Sequence, residues 1–142
     1  MDIYEILGRE EQVFQSDLEA NVELFKKIIP ASKFLVIGGA GTIGSAVCEI
    51  LMSFMPKKLH VVDISENNLV ELVRKLRSKP AVVCADFDTY AIDYCSSMFH
   101  KYLDAHNDFD FVLNLAALKH VRSEKDIFTL FRMLDTNIFA MK

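Results

Sequence analysis

Four of the five glycines in this 142-residue chain, Gly38, Gly39, Gly41 and Gly44, fall within seven consecutive positions. The segment Gly38-Gly39-Ala40-Gly41-Thr42-Ile43-Gly44 can be read as GxxGxxG (38, 41, 44) or as GxGxxG (39, 41, 44). Both patterns belong to the same chemistry. One glycine allows a tight turn, Gly41 lets the backbone approach a pyrophosphate, and Gly44 lets a helix pack closely on a strand. Free N–H groups at the start of that helix, around Thr42 and Ile43, then hold the phosphates at the positive end of its dipole. Asp63 follows Gly44 by 19 residues, where a carboxylate can accept hydrogen bonds from an adenosine ribose. A carboxylate there repels a 2′-phosphate, so NAD is favoured over NADP, with NADP still possible. Two other readings stand beside this one: a glycine turn that serves packing alone, with Asp63 a routine strand end, and a methyltransferase, which also pairs a glycine loop with a strand-end acid.

The loop needs a strand before it and a helix after it. Phe34-Leu35-Val36-Ile37 is a continuously apolar run, which suits a strand covered on both faces of a parallel sheet. A helix is expected over about 42–54, with Ile43, Ala46, Val47, Ile50, Leu51 and Phe54 inward. Leu59-His60-Val61-Val62 reads as a second strand closed by Asp63. Ser65 can cap a helix carrying Leu69, Leu72, Val73 and Leu76, with Arg74, Lys75 and Arg77 in its last turn, where cations suit the dipole. Residues 81–84 read as a third strand, 89–103 as a helix with Ile92, Cys95, Phe99 and Tyr102 inward, and 111–115 as a fourth strand. Helices are also expected over 16–29, opened by a Ser16-x-x-Glu19 capping box, and over about 124–141.

Strands alternating with helices predict an α/β fold. The expectation is a Rossmann-type doubly wound parallel sheet of about four strands, built from right-handed crossovers, with an extra N-terminal helix. Residues 1–30 form the expected extension and 31–142 the dinucleotide-binding domain. The composition, 51% hydrophobic and 25% charged with net charge −4, argues against intrinsic disorder and gives no basic footprint for nucleic acid. No apolar run approaches the roughly 18 residues of a membrane span, and the N-terminus lacks the order of a signal peptide. Cys48, Cys84 and Cys95 have no metal-ligand spacing and read as reduced thiols of a cytoplasmic protein.

Three further places can serve the same pocket. Asp86-Phe87 follows the expected third strand, where the acid can meet an adenine amino group and the ring can line the pocket; a loop aspartate or a helix cap is the alternative. Leu115-Ala116-Ala117 follows the fourth strand, where small residues let the backbone pass close to a cofactor or let the last helix pack closely. Lys119 can contact a phosphate or sugar hydroxyl, or be a solvated loop residue. His60, His100 and His106 form no metal cluster with carboxylates at helical spacing, so no metal centre is expected.

The stretch from Phe34 to Asp63, with its GGAGTIG loop, resembles the extended short-chain dehydrogenase/reductase superfamily. Ile6-Leu7-Gly8-Arg9, Asp63-Ile64-Ser65-Glu66-Asn67-Asn68 and Ala116-Ala117-Leu118-Lys119-His120-Val121 narrow the resemblance to the CapD-like polysaccharide biosynthesis proteins. That group includes UDP-N-acetylglucosamine 4,6-dehydratases, and Thr136-Asn137 matches its asparagine-containing helix. The resemblance implies cofactor contacts from Gly38, Gly41, Gly44, Asp63, Ile64, Ser65, Asp86, Ala116, Ala117 and Lys119. It also implies a nucleotide-sugar substrate and a homo-oligomer. The family's catalytic Tyr-x-x-x-Lys has no counterpart here: the tyrosines are Tyr4, Tyr90, Tyr94 and Tyr102, and none has lysine four residues later. No catalytic residue is therefore expected. The expectation is the cofactor-binding portion of a longer nucleotide-sugar dehydratase or epimerase, inactive alone. A naturally short, non-catalytic dinucleotide-binding protein is the alternative, and a nucleotide-sugar dehydrogenase or reductase a further one.

Overall fold

The computed structural model describes residues 15–78, 84, 86–119 and 126–141. Its elements are α1 (Gln15–Ile28), β1 (Lys33–Ile37), α2 (Thr42–Ser53), β2 (Lys58–Asp63), α3 (Glu66–Arg77), β3 (Phe87–Ala91), α4 (Ser97–Ala105), β4 (Phe111–Asn114) and α5 (Ile127–Asn137). The four strands form one parallel sheet in the order β3-β2-β1-β4. This is the expected doubly wound α/β architecture, and it brings the C-terminal ends of all four strands to one edge.

Both faces of β1 and β2 are covered, which explains the unbroken apolar run of β1, whereas Phe111 and Val112 at the start of β4 are exposed. Side chains alternate across a strand. Phe34 and Val36 of β1 therefore join Leu59 and Val61 of β2 under α2 and α3, while Leu35, Ile37 and Val62 pack on the opposite face with Tyr94, Phe99 and Tyr102. The α3 reading matches the structure: Ser65 caps the helix by accepting from the Asn68 N–H at 3.4 Å, Leu69, Leu72 and Leu76 are buried, and Arg74, Lys75 and Arg77 occupy the last turn. α1 rests on the rest of the chain through Phe25, edge-on to Phe54 at 6.3 Å. Ser16 lies inside this helix, not at its cap.

Two expectations need correction. Of the expected inward residues of α2, Leu51 is buried and Val47 and Phe54 pack partly buried against the core. The face is centred, however, on Gly44, Cys48, Leu51 and Met52, while Ala46 is exposed and Ile43 and Ile50 are 60% and 59% exposed. Gly44 sets this rotation. A Cβ at Gly44 would lie 2.2 Å from the Gly38 carbonyl oxygen, so only a glycine can face the turn, and positions four, seven and eight residues later follow it inward.

The second correction concerns β3. Residues 81–83 lie outside the described residues, and Cys84 is buried outside any strand. The strand that pairs with β2 is Phe87–Ala91, with Leu59 opposite Phe87 and Asp63 opposite Ala91. The expected helix over 89–103 begins only at Ser97, where the Ser96 hydroxyl accepts from the Phe99 N–H at 3.4 Å. Ile92, Cys95, Phe99 and Tyr102 have helical spacing by coincidence, because the series runs from the loop just past β3 through a turn into a helix.

Candidate functional site

The glycine turn is built by β1 and closed by α2. Gly38 has φ +72°, a left-handed conformation that a side chain resists, and a Cβ there would lie 2.5 Å from the Ala116 nitrogen. The turn after β1 therefore abuts the backbone of the turn after β4. Gly41 differs from Gly38 and Gly44. As the N-cap of α2 it has φ −72°, which any residue can adopt, and a Cβ would meet nothing nearer than the Gly38 carbonyl oxygen at 3.5 Å. Packing within the protein does not demand a glycine at this position, and the position faces a cleft.

That cleft has a volume of about 370 Å³ and lies at the C-terminal edge of the sheet. Its floor includes Gly38, Gly41 and Asp63; Ile64, Leu115, Ala116 and Ala117 also line it. Asp63 is only 9% exposed. One of its carboxylate oxygens accepts from the Ala40 N–H at 3.0 Å and the other from the Ser65 N–H at 2.9 Å. The carboxylate is thereby locked between the glycine turn and the start of α3, with a lone pair on each oxygen left for a ligand hydroxyl.

Seven of the residues singled out in the sequence thus meet in one cleft: Gly38, Gly41, Asp63, Ile64, Leu115, Ala116 and Ala117. Thr42, Ile43 and Gly44 form the first turn of α2 behind the glycine loop, and Ser65 supports Asp63 through its amide. Lys119 is exposed and does not line the cleft, while His120 and Val121 lie outside the described residues. Asp86 and Phe87 require correction. They lie at the amino-terminal end of β3, where the Asp86 carbonyl accepts from the Leu59 N–H at 2.8 Å. They are therefore at the opposite end of the sheet from Asp63. The register of β3 puts Ile92 and Asp93 in the position that the sequence reading gave to Asp86.

Asp93, Tyr94, Cys95, Arg132 and Thr136 complete the walls. Tyr94 and Cys95 are anchored to α5, the tyrosine hydroxyl donating to the Thr136 carbonyl and the thiol lying 3.9 Å from the Thr136 hydroxyl. Burial pushes both the Tyr94 phenol and the Cys95 thiol above their ordinary values. Both shifts favour the neutral, protonated side chains in this wall of the cleft. Asn137 clasps the loop after β4, accepting from the Leu118 N–H and donating to the Leu118 carbonyl, both at 2.9 Å. The alternation of Phe87-Asp88-Thr89-Tyr90 was the signal that could have revealed β3, and with it Asp93.

Residues 34–142 match the profile of a family described as polysaccharide biosynthesis protein. Over 87 residues the chain is 37% identical to an uncharacterised membrane protein, MJ1061, of Methanocaldococcus jannaschii, covering 61% of this chain and 24% of that one. Among solved structures, Pen from Bacillus thuringiensis superposes with a TM-score of 0.66 at 27% identity, covering 80% of this chain and 33% of that one. WbmF of Bordetella bronchiseptica, solved with NAD+ and UDP, superposes with a TM-score of 0.59 at 19% identity, covering 81% and 31%. The chain thus spans about a quarter to a third of the length of these proteins. Among the described residues no helix is long and apolar enough to cross a membrane.

Proposed function

We propose a function from one premise: this chain belongs to the polysaccharide biosynthesis protein family. We infer that it binds a nicotinamide dinucleotide, with NAD preferred, as the cofactor-holding part of a nucleotide-sugar dehydratase or epimerase. One observation carries the reading. Gly41, which packing within the protein leaves free to be another residue, stands at the start of α2, on the same cleft as the buried carboxylate of Asp63. A pyrophosphate against the Gly41 backbone would meet the α2 N–H groups, and a ribose would reach the free lone pairs of Asp63. NAD+ in the WbmF structure agrees with this choice of ligand.

When bound, the dinucleotide supplies reversible hydride acceptance at a sugar carbon, which acidifies the neighbouring C–H and allows loss of water. The chain's own contribution is binding and orientation. Its four tyrosines lack a lysine four residues later, and Tyr94, the tyrosine on the cleft wall, is committed to Thr136. We place this role in the cytoplasm, where Cys48, Cys84 and Cys95 remain free thiols.

Calorimetric titration of the chain with NAD, NADP, S-adenosylmethionine and UDP-N-acetylglucosamine tests the proposal. The expected order is NAD tightest, NADP weaker and no binding of S-adenosylmethionine. Binding of S-adenosylmethionine without NAD would return the methyltransferase reading. A second measurement tests the register of β3. Asp93→Ala is expected to weaken NAD binding about tenfold or more, consistent with losing one charge-assisted hydrogen bond of roughly 1.5–3 kcal/mol. Asp86→Ala should leave binding within about twofold. Equal losses from the two variants would place the adenine elsewhere.

A further inference from the structure

At the end of the sheet opposite the cleft, three metal-binding side chains converge across β2 and β3. His60 stands directly opposite Asp88 in the parallel ladder, and Asp86 precedes Asp88 by two residues, so both acids share the face that carries the imidazole. His60 Nε2 lies 3.3 Å from Asp86 Oδ1 and 4.0 Å from Asp88 Oδ2. The three donor atoms all fall within 4.8 Å of one another.

The imidazole is fixed, with its side chain only 3% exposed. Its Nδ1 pairs with the Tyr102 hydroxyl at 2.8 Å, while Tyr90 and Phe109 flank the ring at 5.3 Å each. A partner on one nitrogen, leaving the other aimed at carboxylates, is the arrangement that orients a ligating histidine. Lys58 is the competing cation. Its Nζ is 3.5 Å from Asp86 Oδ2 but 3.0 Å from Asp108 Oδ1, so it has an anchor outside the cluster and leaves Asp86 Oδ1 to face His60.

We propose that His60, Asp86 and Asp88 form a site for a divalent cation of the zinc class, clasping the edge strand β3 to β2. One imidazole with two carboxylates suits such an ion, whereas magnesium and calcium prefer all-oxygen sets. Donors at about 2.0–2.2 Å from tetrahedral zinc lie roughly 3.4 Å apart. His60 and Asp86 already have that spacing, and the exposed Asp88 side chain closes the remaining distance. Helical spacing could not reveal the cluster, because its members meet across a sheet.

The test is calorimetric titration of the chelator-treated, redialysed chain with Zn2+, repeated with Co2+ while visible absorption is recorded. One ion per chain is expected, with cobalt giving the bands of a site of mixed nitrogen and oxygen donors. Asp88→Asn should weaken binding by about tenfold or more, and Tyr102→Phe by about tenfold as a positioning residue. Asp104→Asn, an exposed control, should not change it. His60→Gln removes a buried ring and can lose the fold, so the Asp88 variant, checked by circular dichroism, decides the outcome. No binding by the native chain, unchanged binding in Asp88→Asn, or sulfur-to-cobalt absorption from a cysteine site would each overturn the proposal.

Discussion

Gly41→Val is expected to leave the protein folded and to weaken NAD binding by at least a hundredfold, whereas Gly44→Val is expected to damage the fold itself. The difference lies in what each added side chain meets. At Gly44 a Cβ would lie 2.2 Å from the Gly38 carbonyl oxygen and 2.6 Å from the Gly39 Cα. Both are backbone atoms of a turn pinned by the Gly38 N–H, which donates to the Val62 carbonyl at 2.7 Å. α2 must therefore move off the sheet, and forced overpacking of this kind costs about 1–3 kcal/mol or more. That is a large part of the roughly 5–15 kcal/mol by which a domain is stable.

At Gly41 the backbone is already in a region open to valine, and the loss should be limited to a poorer N-cap, on the order of 1 kcal/mol or less. The branched side chain would then project over the α2 N–H groups, where the pyrophosphate is proposed to sit. Thermal unfolding with and without cofactor separates the two effects. A ligand at about 100 times its dissociation constant stabilises the folded state by roughly 2.7 kcal/mol, which should raise Tm for the native chain and not for Gly41→Val. A full cofactor shift in Gly41→Val would move the phosphate site away from the glycine loop.

The sequence was most legible where local chemistry and long-range packing agreed. Ser65, the leucines of α3 and its basic last turn describe one helix by themselves, and the structure shows that helix. The run Phe34–Ile37 implied burial on both faces because no polar residue interrupts it. Legibility failed where a tertiary contact overrode the local pattern. Ile43 and Ile50 have an inward helical spacing, but Gly44 rotates α2 so that they face outward. Around β3 two periods overlap: helical spacing of Ile92, Cys95, Phe99 and Tyr102 competes with alternation from Phe87 onward. Pairing with β2 decides in favour of the strand. A helical reading of that stretch moves the strand's end back by several residues and puts Asp86 where the structure has Asp93. The glycine loop and Asp63 escaped this error because β1 and β2 lie at the centre of the sheet, where each strand has neighbours on both sides.

Asp63 should also govern the choice between NAD and NADP, and Asp63→Asn is the variant that removes its charge with the least change of shape. The native carboxylate is held by the Ala40 and Ser65 amides, so it cannot swing away from an incoming 2′-phosphate. Two unit charges about 4 Å apart near a protein surface interact by roughly 4 kcal/mol before salt screening. Retaining a third of that gives about 1.4 kcal/mol, or a tenfold preference for NAD. Asparagine keeps the shape and one acceptor oxygen and removes the charge, but its NH2 leaves one of the Ala40 and Ser65 amides without its acceptor, so circular dichroism must first show the variant folded. NAD should then bind about tenfold more weakly through the loss of a charge-assisted ribose contact, while NADP affinity stays level or rises, and the preference should fall by at least tenfold. Asp63→Ala is less informative, because it strips acceptors from two backbone amides and costs stability of about 1–3 kcal/mol for each donor left buried and unpaired. Titrations at low and high salt add an independent check. Added salt should narrow the NAD-to-NADP gap of the native chain by screening the repulsion and leave the Asp63→Asn gap unchanged. A native preference that ignores salt, or an Asp63→Asn variant with the native ratio, would assign the discrimination to another residue.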